Sequence, residues 1–127
     1  MIELPDAKPL EWIGNTRRVV QAFSKPVRQV VGQALYAAQI GDTHVDTKPL
    51  KGFGGASVVE IISDYDGDTF RAVYTVKFRG VVYALHAFQK KSKKGSKTPR
   101  KEIDLITQRL KDAEQHYRGH YGRDKSK

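Results

Sequence analysis

Two tight turns limit most strongly what this chain can fold into. Asp66-Gly67 is a two-residue hairpin signal, because the loop that suits twisted strands needs left-handed backbone at both positions. It separates two runs of strand character, Val58 to Ser63 and Phe70 to Phe78. Arg79-Gly80 reads as a second turn and leads into a third strand, Val81 to Gln89. Three strands joined so closely predict an antiparallel meander. Treating each dipeptide as the whole loop sets the register. Phe78 then pairs with Val81, Arg71 with Phe88 and Val73 with His86. In the first hairpin Ile62 pairs with Arg71, and Glu60 with Val73. Side chains alternate along a strand, so Glu60, Arg71, His86, Phe88 and Lys90 are expected on one face. Ile61, Phe70, Ala72, Tyr74, Val76, Tyr83, Leu85 and Ala87 are expected on the other, packed under helices.

The flanking segments supply those helices. Leu10 to Ile13 reads as a short strand stopped by Gly14-Asn15. Thr16 to Phe23 is a short helix capped by Asn15 or Thr16. Pro26 sits in the first turn of a longer helix, where proline is tolerated. Its buried stripe is Val27, Val30, Val31, Ala34, Leu35 and Ala38, and Gly41 ends it. Residues 41–57 read as a loop. Thr98-Pro99 reads as an N-cap and first-turn proline opening a last helix with the stripe Ile103, Ile106, Leu110, Ala113 and Tyr117. From Gly119 on, a frayed tail is expected. The predicted whole is one α+β domain over residues 1–127, a small antiparallel sheet packed with two N-terminal helices and one C-terminal helix.

Charge is unevenly spread. Residues 1–88 are nearly balanced, whereas residues 89–127 carry 13 of the 23 basic residues and only 5 of the 14 acidic ones. A polyanion, nucleic acid first, is the expected partner. The absence of cysteine excludes disulfides, thiol catalysis and cysteine-ligated metals. Apolar runs are too short to span a membrane, and Met1 to Leu10 has no secretory pattern, so a cytoplasmic location is expected.

Two groups of residues offer chemistry. Glu60, Arg71, His86 and Lys90 bring a carboxylate, an imidazole and two cations to one face. The cations suit a pentavalent phosphate, and Glu60 or His86 could take a proton. The plainer reading is a Glu60–Arg71 ion pair on a half-solvated sheet with His86 merely packed. The second group is the run Lys90, Lys91, Lys93, Lys94, Lys97, Arg100 and Lys101, which holds no acid. Such a run grips phosphates without reading bases. Phe88 is the stacking candidate beside it. Lys51 is a further RNA-binding candidate, in a Gly-rich stretch that lacks the P-loop order and reads as a flexible connection. Asp64, Asp66 and Asp68 lack a closing glutamate, and no metal site is expected. His44, His116 and His120 show no ligand spacing.

Four stretches together resemble the RelE/ParE superfamily of toxin–antitoxin toxins, nearest its phage-derived, HigB-like branch. They are Trp12-Ile13-Gly14 with Phe23, Val27-Arg28, Gly32, Leu35 and Gln39-x-Gly41; Lys48-Pro49-Leu50-x-Gly52 with Glu60; Arg71-x-x-Tyr74; and His86-x-Phe88-x-Lys90-Lys91-Ser92 with Lys97-Thr98-Pro99-x-x-Glu102. The resemblance implies a RelE-like fold and an endoribonuclease that cuts mRNA in the ribosomal A site without metal or other cofactor. In that chemistry a 2′-OH attacks the adjacent phosphate. It also implies a neighbouring antitoxin, often with a helix-turn-helix. Arg71 matches the arginine that contacts the scissile phosphate, and Lys90 or Lys91 matches a second basic residue. Glu60 stands near the place of RelE-type lysines, and Thr98-Pro99 near that of a tyrosine. A ParE-type poison of DNA gyrase and an inactive binding module are the alternatives. On the nuclease reading, Arg71→Ala is expected to abolish toxicity with folding intact.

Overall fold

The computed structural model describes residues 6–90 and 97–122. The elements run β1 (Leu10–Trp12), α1 (Thr16–Gln21), α2 (Lys25–Gln39), β2 (Thr47–Pro49), β3 (Val58–Tyr65), β4 (Asp68–Thr75), β5 (Val82–Lys90) and α3 (Arg100–His120). The strands form one sheet in the order β1-β5-β4-β3-β2. The meander β3-β4-β5 is antiparallel, as its turns require, but β1 joins β5 in parallel, so the sheet is mixed. The long intervening chain permits this, since parallel neighbours need a crossover connection. β2 lies within the segment that reads as a loop and pairs with β3. Pro49 can stand there because β2 is an edge strand, where a missing amide proton costs little.

The first hairpin has the expected register throughout, and Asp66 and Gly67 both have positive φ, 53° and 85°. The second departs from expectation partway. Arg71 pairs with Phe88 and Val73 with His86, but Tyr74 then pairs with Ala84, leaving Leu85 as a bulged extra residue. β4 stops at Thr75 and β5 starts at Val82. The Arg79-Gly80 turn is present, closed by Val81 N–H donating to the Phe78 carbonyl at 3.4 Å with Gly80 at φ 83°, but the strands do not run up to it and residues 76–81 form the connection. Beyond the bulge the faces exchange. Val82 and Ala84 join Ile61, Phe70, Ala72 and Tyr74 under α1 and α2. Tyr83 and Leu85 instead pack with Val58, Val73 and Phe78 against Ile106, Ala113 and Tyr117 of α3. Val76, expected inside, is exposed.

The helix ends also refine the sequence reading. Gly41 (φ 82°) closes α2 as expected, with Asp42 N–H donating to the Ala37 carbonyl at 2.8 Å and Gly41 N–H to that of Ala38 at 3.1 Å. At α1 neither Asn15 nor Thr16 caps through its side chain; Thr16 Oγ1 donates to the Ile13 carbonyl instead. α3 begins at Arg100 with Pro99 in the cap position, so the Thr98 side chain does not cap it. α3 continues through Gly119 to His120, beyond the expected start of fraying. His116 bonds the Tyr83 hydroxyl at 2.8 Å and stacks on His120. The Tyr121 hydroxyl donates to Glu11, whose carboxylate pushes the phenol pKa up to about 12. Among the described residues no helix is long and apolar enough to cross a membrane.

Candidate active site

The α3-facing side of the sheet carries the expected charged residues, but they are not half solvated. Glu60 and Arg71 are 1% and 2% exposed. Arg71 is diagonal to Glu60 across β3 and β4, a separation that a long side chain spans. Its Nη1 donates to Glu60 Oε2 at 3.2 Å. Thr98 completes the group: its Oγ1 donates to the same Oε2 at 2.7 Å and accepts from Arg71 Nη1 at 3.3 Å. Lys90, at the end of β5, donates from Nζ to the Lys97 carbonyl at 2.8 Å. Burial first, and then the Arg71 charge, lower the Lys90 pKa, against an opposing pull from Glu60. Arg71, Glu60 and Lys90 are thus one electrostatic unit.

His86 belongs to a different unit. Arg109 Nη1 donates to its Nδ1 at 3.0 Å, which leaves the ring proton on Nε2, facing Glu102 Oε1 at 2.6 Å. Arg109 also donates to the Leu85 bulge carbonyl, Thr16 Oγ1 and Asn15 Oδ1. It ties α3 to β5 and to the start of α1. With both nitrogens engaged, His86 has no lone pair left for a substrate proton. Burial lowers its pKa, more than the Glu102 hydrogen bond raises it. The folded protein therefore holds His86 neutral where the unfolded chain binds a proton. Its contribution to stability is full above the ordinary histidine range and is lost as pH falls from about 6.5 toward the lower folded value. Urea denaturation across that window should show wild-type stability falling on acidification and a shallower fall in His86→Gln. Stability that rises on acidification would instead mean a charged His86–Glu102 pair.

A cleft of about 420 Å³ opens over the Glu60–Arg71 pair. Lys48 and Lys51 stand on one side of it, Lys97 and Thr98 on the other. Of the sequence candidates, Glu60, Arg71, Lys51 and Lys97 line this cleft, and Lys90 adjoins it through Lys97. Phe88 does not serve as a stacking surface: it is buried and stacked on His86, with ring centroids 5.3 Å apart. Arg100 and Lys101 are exposed on the first turn of α3, and Arg100 pairs with Asp104. Lys91, Lys93 and Lys94 lie outside the described residues. Three participants went unassigned from sequence: Thr98 read as a cap, Lys48 read as loop, and Arg109 on a helix face. For Lys48 the signal was present, since it stands in the Lys48-Pro49-Leu50-x-Gly52 motif. A second groove, about 240 Å³ between β1, α1 and α2, is lined among the described residues by apolar side chains with Arg17, Arg28, Gln21 and Gln39, and by no acid, general base or nucleophile.

A RelE-like α+β architecture is the class these elements define. A solved structure of the E. coli toxin RelE, a double arginine-to-alanine mutant in the free state, matches with a TM-score of 0.53 over 84% of this chain and 97% of that one. Sequence identity is 14%, so the likeness is one of fold. Residues 18–111 match the family described as phage derived protein Gp49-like (DUF891), and the chain belongs to that family. No curated protein matches.

Proposed function

We propose that the protein is the toxin of a type II toxin–antitoxin pair, of the phage-derived HigB-like kind. On this reading it acts in the cytoplasm, cuts mRNA on the ribosome and is neutralised by a cognate antitoxin. The observation that carries this reading is the cleft itself: a buried Arg71 held by Glu60 and Thr98, coupled to Lys90 and ringed by lysines, on a RelE-like fold. Preorganised cations stabilise the charge that develops on a phosphate under attack, and they do so most where water is excluded. The 2′-oxygen bonds to phosphorus, its proton passes to Glu60, and the 5′-oxygen leaves with a proton from Lys90. The products are a 2′,3′-cyclic phosphate and a 5′-OH. A lysine whose proton affinity is lowered is the better donor for that last step. Glu60 is the base on this reading, because His86 lies off the cleft with both nitrogens bonded.

Cell-free translation of a defined mRNA with the purified protein tests this. New 5′ ends mapped by primer extension should appear only on translated mRNA, in register with codons, while RNA in reactions without ribosomes and naked RNA with EDTA should stay intact. No new ends, with translation unimpaired, would overturn the nuclease reading.

A further inference from the structure

The cleft holds more positive charge than one phosphate needs. Among the described residues Glu60 is the one acid on its lining, and Arg71 already answers it. Lys48, Lys51 and Lys97 remain, with no further acid among the described lining residues to offset them. Lys48 is the best fixed in direction. It pairs in register with Glu60 across β2 and β3, so its side chain leaves the sheet on the face that carries Glu60 and Arg71. Lys51 follows Leu50, whose amide is bonded to the Val58 carbonyl at 2.9 Å. The edge strand therefore places Lys48 and Lys51 on the opposite side of the cleft from Lys97 and Lys90. Between the two sides, Pro49, Leu50 and Ile103 give the cleft an apolar lining. Its volume of about 420 Å³ lies in the range of small-ligand sites and suits one nucleoside, not a base pair.

We propose that Lys48 and Lys51 form a second phosphate subsite, which grips the phosphate next to the one held by Arg71 and Lys90. The ligand is then single-stranded RNA, with two consecutive phosphates bound and the nucleoside between them seated against the apolar lining. The inference rests on the nuclease reading only for which phosphate is cut; the binding stands by itself. Phosphate contacts register as salt dependence, because each one releases a counterion from the strand.

The test uses the full chain and a fluorescent 2′-O-methyl hexanucleotide, which cannot be cut because its 2′-oxygen is blocked. Anisotropy titrations at several salt concentrations give the slope of log K against log salt. Lys48→Ala should make that slope shallower by about 0.7, and Lys48→Ala with Lys51→Ala by about 1.4. Lys25→Ala, exposed at the start of α2 beyond the other face of the sheet, should leave it unchanged. Both cleft lysines are exposed, so thermal melts of the variants should match wild type. A wild-type protein that does not bind the oligonucleotide, or a double variant with the wild-type slope, overturns the subsite. Cleavage in the translation assay with an unaltered slope would sink the subsite alone. Slope changes as predicted, with no cleavage, would support the subsite and sink the nuclease.

Discussion

Arg71→Ala is expected to cost about 3–5 kcal/mol of folding stability, enough to leave little folded protein, since small domains hold only about 5–15 kcal/mol in all. The reason is burial. Glu60 and Arg71 are both almost completely enclosed, and Glu60 Oε2 takes hydrogen bonds from Arg71 and Thr98 alike. Removing the guanidinium leaves a carboxylate almost wholly buried at the floor of the cleft with one hydroxyl to answer it. The nuclease reading of the sequence expects an intact Arg71→Ala fold; the burial of the pair gives the opposite expectation. The plainer sequence reading takes the pair as half solvated, where either partner could be lost cheaply. Replacing both partners together is a different experiment. Glu60→Leu with Arg71→Met keeps the volume and buries no charge, and should return stability to near the wild-type value. Urea denaturation of the two variants checks this. An Arg71→Ala protein within about 0.5 kcal/mol of wild type, the range of ordinary surface changes, would mean that water reaches the pair. Loss of toxicity in Arg71→Ala, taken alone, is no evidence for catalysis.

The charged face was legible because its register hangs on one strong turn. Asp66-Gly67 sets β3 against β4 through the whole hairpin, which carries Glu60 and Arg71 to the same side. The half of β5 near Lys90 keeps the register that the second turn predicts, though the strands end short of that turn and a bulge intervenes. The bulge at Leu85 left no trace in sequence. Val81 to Leu85 is apolar on both faces, so a one-residue slip there exchanges one apolar side chain for another and breaks no pattern. Thr98 was misread for an energetic reason. Its hydroxyl has one proton to donate, and a buried carboxylate needs it more than an exposed helix end, which water can serve. β2 was hidden by its brevity, and Arg109 by distance: nothing local tells a helix residue which strand residue it will meet.

Lys90→Ala is the variant that separates chemistry from folding, and it should slow mRNA cleavage by about 10²–10³-fold, the usual cost of losing one group that stabilises transition-state charge. Lys90 is only half buried, at the open end of β5, and the Lys97 carbonyl it bonds lies at an exposed residue that water can reach. Its loss should change stability by no more than about 0.5 kcal/mol, in contrast to Arg71. Single-turnover cleavage on programmed ribosomes would place the loss in the chemical step, with binding to the ribosome little changed. Lys90→Arg keeps the charge but holds its proton too firmly to release it at neutral pH. If Lys90 supplies charge alone, Lys90→Arg should recover most of the rate. If it also protonates the leaving oxygen, Lys90→Arg should stay closer to Lys90→Ala. Burial and the Arg71 charge lower the proton affinity of Lys90 in the structure, which favours the second outcome. A Lys90→Ala protein that cuts at the wild-type rate would leave transition-state charge to Arg71 and would remove Lys90 from the mechanism.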